Sequence, residues 1–112
     1  MNNIKYIGID VHQATSVFAV IDSQGKLIGE SILKTEAAAI IDFLRGQRGS
    51  AQVAFEEGTY AHWLYDVIKP HVAKVIVCDP RKIKMDGNKT DRIDARKIAK
   101  ETFPDGSKTT SS

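Results

Sequence analysis

The sequence predicts a mixed α/β domain, because three strand-like segments come first and later strand-like segments alternate with helix-like ones. Residues 4–10, 16–22 and 27–33 form short apolar runs rich in β-branched and aromatic side chains, which are typical of strands. From residue 36 onward, apolar side chains recur at i, i+3, i+4 and i+7, the spacing of a helix face. Short connections make the first three strands antiparallel neighbours, whereas strands that alternate with helices are expected to pair in parallel.

The second and third strands are predicted to form a hairpin that leads into the first helix. Gly25 lies in the turn at residues 23–26, where a residue without a side chain can take positive φ. Thr35 is the predicted N-cap of a helix over residues 36–45. The apolar stripe of this helix consists of Ala37, Ile40, Ile41 and Leu44. This stripe is expected to pack on the sheet.

Two further strands and two further helices complete the domain. The strands are predicted over residues 51–56 and 73–78, and the helices over 60–69 and 91–102. The apolar face of the earlier helix would consist of Trp63, Leu64, Val67 and Ile68. Its aromatic residues are assigned to the core and rim of the helix in preference to a base-stacking platform: Tyr60, Trp63 and Tyr65. The resulting order, β-β-β-α-β-α-β-α, is that of the ribonuclease-H-like fold with a mixed sheet.

Composition excludes several classes of protein. The chain of 112 residues is long enough for one small domain, and no stretch approaches the roughly 20 apolar residues of a membrane span. With one cysteine, Cys78, the chain can form no internal disulfide, and this residue is expected to be a small buried hydrophobe. The N-terminus leads directly into a strand without a signal-peptide pattern, so a cytoplasmic location is expected.

Charges are distributed unevenly along the chain. Residues 1–79 contain 7 Lys and Arg against 9 Asp and Glu, whereas residues 80–100 contain 8 against 3. A basic segment on a slightly acidic body indicates a surface that faces a polyanion. The nucleic-acid-binding residues on or beside the last predicted helix would be Lys89, Arg92, Arg96, Lys97 and Lys100. The alternative is a solvated helix surface whose cations contact no ligand.

Four acidic residues are the candidate catalytic and metal-binding set: Asp10, Glu56, Asp91 and Asp94. Asp10 and Glu56 end apolar strands, where a carboxylate at the rim of the core is costly to bury without a partner. Asp91 and Asp94 are three residues apart, so they would share one face of the last predicted helix. Converging carboxylates repel one another unless a cation separates them, and Mg²⁺, or Mn²⁺ in its place, prefers such oxygen ligands.

The acidic residues also have purely structural interpretations. Asp10 could cap the turn after its strand, and either Thr90 or Asp91 could be the N-cap of the last helix. Glu57 is the rival of Glu56, because alternation along a strand points the two side chains in opposite directions. Glu56 is preferred since it still lies within the apolar run, but the sequence leaves this choice open. His12, two residues after Asp10, either contacts substrate or lies in the loop.

Three segments resemble the DEDD transposase family of bacterial insertion sequences, which is related to the Piv-type DNA invertases. They are GIDVH around Asp10, FEEGTY around Glu56, and KTDRIDARKIA around Asp91 and Asp94. TDRIDA is the most specific of these strings, and the resemblance covers nearly the whole chain up to about residue 100. It implies a RuvC-like, ribonuclease-H-type catalytic domain in which these four acids bind Mg²⁺ and support DNA cleavage and strand transfer.

The resemblance also implies a longer protein. Members of the family are several times longer, contain a coiled coil and a second domain with a serine nucleophile, bind a structured guide RNA and form homo-oligomers. Here residues 1–103 are expected to form the RuvC-like domain, truncated at its C-terminal end, and residues 104–112 a disordered tail. This chain alone is therefore expected to fold but not to support the full transposition reaction.

Three other functions compete with this interpretation. A non-enzymatic remnant would keep the basic surface and bind DNA with a salt-dependent affinity, without a specific metal site. A RuvC-like junction nuclease would share the acidic residues, although the basic TDRIDA helix favours a transposase. A kinase-like ATPase also opens with an Ile-Gly-Ile-Asp strand, but it needs a glycine-rich phosphate turn, and residues 10–13 contain no glycine.

Overall fold

The computed structural model describes residues 4–47, 50–79 and 95–102. The elements in these ranges are β1 (Ile4–Val11), β2 (Thr15–Ile21), β3 (Leu27–Lys34), α1 (Ala37–Arg45), β4 (Ser50–Glu56), α2 (Ala61–Ile68), a 3₁₀ helix (Lys69–His71), β5 (Lys74–Cys78) and α3 (Ala95–Thr102). The predicted α/β class is confirmed, and the described strands, α1 and α2 begin and end within one residue of their predicted bounds. Among the helices described here, none is long and apolar enough to cross a membrane.

All five strands form one sheet with the order β3-β2-β1-β4-β5. As predicted from the short connections, β2 is antiparallel to both β1 and β3. The later strands are parallel, β4 to β1 and β5 to β4, which also confirms the prediction. The carboxyl ends of β1, β4 and β5 therefore meet at the same edge of the sheet.

Helices cover both faces of this sheet. On one face, α1 and α2 contribute Ile40, Leu44, Leu64 and Ile68 to a core with the sheet. On the other face, Ile98 and Ala99 of α3 form a second cluster with residues of β1, β2 and β4. Consecutive residues of β1, Tyr6 and Ile7, are consequently both buried, one in each cluster.

The β2–β3 turn has the predicted chemistry. Gly25 has φ of 85°, a conformation that L side chains rarely adopt. Asp22 Oδ1 accepts hydrogen bonds from the backbone N–H groups of Gln24 and Lys26, at 2.9 and 3.0 Å. The Asp22 side chain thus satisfies the turn's backbone donors, as an Asx turn does.

Thr35 is not the N-cap of α1, so that prediction was wrong. Glu36 occupies the N-cap position and makes no side-chain capping bond. Thr35 Oγ1 instead donates to the carbonyl oxygen of His12 at 2.6 Å, so Ser16 Oγ, 2.7 Å away, must donate to Thr35. Because Ser16 is fully buried, its hydroxyl needs this partner. These two hydrogen bonds tie the loop after β1 to the segment that precedes α1.

The predicted burial of two apolar side chains, Trp63 and Cys78, also needs correction. Trp63, predicted on the apolar face of α2, is 37% exposed, because the buried face is narrow and consists of Leu64 and Ile68, one turn apart. Cys78 is half-buried, and its Sγ lies 3.2 Å from Thr102 Oγ1. This contact joins the end of β5 to the end of α3.

Helix α3 packs directly against the backbone of β1 at Gly8. A Cβ atom at Gly8 would overlap the carbonyl oxygen of Ala95 and would lie 2.6 Å from the backbone nitrogen and 2.9 Å from the Cβ of Ala99. Real Cβ atoms essentially never approach backbone atoms so closely. Only glycine therefore allows the helix and the strand to approach at this separation.

The first prediction concerns this contact. Gly8→Ala is expected to lower the free energy of unfolding by about 1–3 kcal/mol, the usual cost of overpacking, because α3 must move away from β1. Urea denaturation followed by circular dichroism measures the change. Gly29→Ala is the matched control, since a Cβ there meets no atom within 4 Å. Equal stability of the two variants would contradict the close packing of α3.

The second prediction concerns the hydrogen-bonded hydroxyl groups of Thr35 and Ser16, called here the hydroxyl pair. Thr35→Val keeps the shape of the side chain but leaves the buried Ser16 hydroxyl without an acceptor, so unfolding should become easier by about 1–3 kcal/mol. Thermal or urea denaturation measures this loss. Thr15→Val, on the exposed start of β2, is the control. A Thr35→Val protein no less stable than the Thr15→Val protein would show that the hydrogen bonds contribute little.

Candidate acidic site at the ends of β1 and β4

Asp10 and Glu56 lie side by side on the face of the sheet that α3 covers. In the parallel pairing of β1 with β4, Ile9 is opposite Phe55, and Asp10 and Glu56 are the next residue of each strand. Ile9 and Phe55 point into the core under α1 and α2, so alternation directs the two carboxylates to the other face. Neighbouring strands are about 4.8 Å apart. The structure therefore brings together these two of the four predicted acids.

Among the described residues, none compensates the charge of Glu56. Its Oε2 atom is buried and has no hydrogen-bond partner among the described residues. Burial raises the pKa of the Glu56 carboxyl above its usual value, and the negative charge of Asp10 raises it further. The geometry therefore creates a carboxylate pair in which one member resists ionisation.

Asp10 has one described partner, His12. The Nε2 atom of His12 lies 3.1 Å from Asp10 Oδ2, and since a carboxylate only accepts, the imidazole donates. Asp10 is largely shielded, with 17% of its side chain exposed, whereas 56% of the His12 side chain is exposed. The backbone carbonyl of His12 is fixed by Thr35, so the hydroxyl pair indirectly positions the histidine.

A small cavity of about 100 Å³ adjoins the acidic pair. It is lined by the last residues of β1 and β4, by the loop at residues 57–60 and by Ala61, the first residue of α2. Glu57, the rival of Glu56 in the sequence, is exposed, and its backbone N–H donates to the carbonyl of Cys78 at 2.7 Å. Glu56 is thus the residue placed beside Asp10 on the α3 face.

The structure describes the other predicted site residues only in part or not at all. Asp91 and Asp94, together with Lys89 and Arg92, lie outside the described residues. Arg96, Lys97 and Lys100 belong to α3, and the structure describes only the backbone of these three residues. Within residues 4–47, 50–79 and 95–102, no group of three or more His, Cys, Asp and Glu is arranged to hold a metal ion.

Sequence reasoning missed the positioning role of Thr35. A threonine just before a helix is a strong local signal for an N-cap, and this signal concealed the contacts that Thr35 makes with Ser16 and His12. No local pattern connects these residues, because the strands bring them together.

The third prediction follows from the raised pKa of Glu56. A carboxyl group with a raised folded-state pKa stabilises the fold below its unfolded value of about 4.5, and this contribution is lost as the pH rises through the folded pKa. Glu56→Gln removes the charge, so in metal-free buffer it should raise the melting temperature at pH 7 and change it little at pH 4.

Glu57→Gln is the control for this experiment, because Glu57 is exposed. Its melting temperature should match that of the parent protein at both pH values. A Glu56→Gln variant that melts below the parent at pH 7 would contradict the account of an uncompensated carboxylate.

Similarity to other proteins is found among solved structures and among sequence families. No curated protein matches this chain. Among solved structures, the ethanolamine utilization protein EutJ from Carboxydothermus hydrogenoformans is similar, with a TM-score of 0.46 and 18% sequence identity. The similarity covers 67% of this chain and 36% of that protein, so the chain spans about a third of its length.

A family comparison is more extensive. The sequence pattern of the DEDD transposases of the IS110 type, described as a transposase, matches residues 7–111. This range includes the second half of β1, with β4 and α3, and all the acidic residues identified in the sequence. The match spans nearly the whole sequence, and the chain therefore belongs to the DEDD transposase family.

Proposed function

We propose that this chain provides the divalent-metal site of a transposase, on a ribonuclease-H-like (RuvC-like) domain, for DNA strand cleavage and transfer. The observation that carries the proposal is the pairing of Asp10 with Glu56 at the ends of adjacent parallel strands. Membership of a transposase family supports DNA as the substrate. The sheet order β3-β2-β1-β4-β5, with helices on both faces, supports the fold assignment.

The residues present fit a divalent cation. Two carboxylates share one rim of the sheet, and the Oε2 atom of Glu56 is buried without a described partner. The charge of Asp10 and the burial both oppose ionisation of Glu56, so a cation between the two would relieve both penalties. Oxygen ligands of this kind suit Mg²⁺, for which Mn²⁺ is the usual laboratory substitute.

Chain connectivity supports Asp94 as a further ligand. Asp94 is joined by one peptide bond to Ala95, whose carbonyl oxygen lies against Gly8, two residues before Asp10. Asp91 precedes it by three residues in the same TDRIDA string. We assign both to the metal site as a proposal, together with phosphate contacts by Lys89, Arg92, Arg96, Lys97 and Lys100.

Each described residue has a specific task in this mechanism. When bound, divalent ions supply an activated attacking oxygen and stabilise the charge on the leaving oxygen. Glu56 and Asp10 would hold the ion with their carboxylate oxygens, and His12 orients Asp10 through its Oδ2 atom. Thr35, through the carbonyl of His12, keeps the loop in place. The apolar residues beneath, Ile9 and Phe55, keep the strand ends rigid.

Further parts of the proposal concern the longer proteins of the family. DNA is the proposed partner of this chain, in the cytoplasm. A structured guide RNA and a homo-oligomeric state are proposed for the full-length form. The chain alone is proposed to bind metal without completing transposition.

The fourth prediction tests the metal site. Calorimetric titration of the chain with Mn²⁺ should show saturable binding, and Asp10→Asn and Glu56→Gln should each weaken it at least about tenfold, since each removes a charged ligand. Asp94→Asn should have the same effect if Asp94 completes the site.

Glu57→Gln and Asp22→Asn are controls that each remove one acidic charge elsewhere, at an exposed loop residue and in the β2–β3 turn. Both variants should bind Mn²⁺ as the parent does. Binding that does not respond to Asp10→Asn and Glu56→Gln would refute the proposed site and would favour a DNA-binding remnant.

A further inference from the structure

We propose that a second cavity, next to the acidic pair, binds a single unstacked nucleobase of the DNA. This inference rests on the proposed function and adds a subsite to it. The cavity has a volume of about 220 Å³ and is lined by Gln13, Thr35, Tyr60 and Trp63. Tyr60 lines the cavity beside Asp10 and Glu56 as well, so the two cavities have this residue in common.

The exposed indole of Trp63 is the first reason. Trp63 is the only tryptophan of the chain and was expected on the apolar face of α2, yet 37% of it is exposed. Leu64 and Ile68 are fully buried and anchor α2 to the core. The helix therefore does not need Trp63 for this contact. Flat aromatic surfaces beside a nucleic-acid path bind bases by stacking, whatever the sequence.

The chemistry of the cavity wall is the second reason. None of the four lining side chains carries a charge at neutral pH, which suits an uncharged aromatic ring better than a phosphate. Gln13 is exposed and offers both an amide donor and a carbonyl acceptor, the groups that pair with base edges. The hydroxyl of Thr35 is already bonded to His12 and Ser16, so Thr35 forms a wall and Gln13 is the residue free to hydrogen-bond the base.

Size and position are the third reason. Pockets for drug-sized ligands measure about 300–1,000 Å³, so a cavity of 220 Å³ suits one ring system better than a whole oligonucleotide segment. Because Tyr60 lines both cavities, a base held here would keep its strand at the edge of the sheet where Asp10 and Glu56 lie. Unstacking one base beside the reactive phosphate would fix the position of the strand that is cut.

Fluorescence of Trp63 gives a direct test, because no other tryptophan contributes. The purified chain, in buffer with a metal chelator, is titrated with a short single-stranded DNA oligonucleotide and with the same oligonucleotide lacking its bases. Stacking predicts saturable quenching by the first and none by the second. Quenching by both, or by neither, would overturn the proposal, including the case in which DNA does not bind.

Anisotropy of a labelled oligonucleotide then measures the affinity of variants. Trp63→Ala should weaken binding about 5- to 150-fold, the range expected for loss of one stacked base. Trp63→Phe should recover part of the affinity, and Ile28→Ala, which removes an exposed apolar side chain of β3, should leave it unchanged. Unchanged affinity of Trp63→Ala would refute the subsite, and binding of an apolar peptide without DNA would assign the cavity to a protein partner.

The test separates this subsite from the metal site. Trp63→Ala should retain the Mn²⁺ affinity of the parent protein, while Asp10→Asn should retain the quenching by single-stranded DNA. Loss of Mn²⁺ binding in Asp10→Asn with no quenching in the parent would support the metal site and refute the subsite. Quenching without any metal binding would support the subsite and refute the metal site.

Discussion

The close approach of α3 to Gly8 is the constraint on which the architecture depends. Because the helix backbone rests on the strand backbone, Ala99 and Ile98 reach the second core cluster, and the sheet becomes covered on both faces. The same contact brings the start of α3 to β1, which contains Asp10 near its end. The fold thus uses the absence of one side chain to bring a distant part of the sequence close to the acidic edge.

The acidic pair shows a conflict between stability and binding. Ile9 and Phe55 are buried in the core and lie opposite each other in the sheet. The next residues, Asp10 and Glu56, must therefore lie in adjacent positions, where their negative charges repel. In a protein selected only for stability, an uncharged residue at one of these positions would remove the penalty. A strained pair of this kind is typical of sites whose cost is recovered when a ligand binds.

Local patterns were sufficient for the strands and for the two acids that the structure brings together. Apolar runs rich in β-branched and aromatic residues located each strand within one residue, and Asp10 and Glu56 lie at the ends of two such runs. Long-range contacts were not predictable in this way. Thr35 has the sequence position of an N-cap, but it makes a long-range hydrogen bond to His12 instead. Trp63 belongs to the apolar stripe of its helix, but only a narrower part of that stripe is buried. Nothing near Gly8 in the sequence indicates which helix will cover it.

The topology also sets an order of assembly. β1, β2 and β3 pair through short loops, whose closure costs little chain entropy. The pairing of β1 with β4 closes a much longer loop, and docking of α3 on β1 closes nearly the whole chain, so these contacts form more slowly. During synthesis the meander can form while the later segments are still in the ribosome. A nascent chain that ends before β4 therefore contains one carboxylate at the sheet edge and lacks the pair altogether.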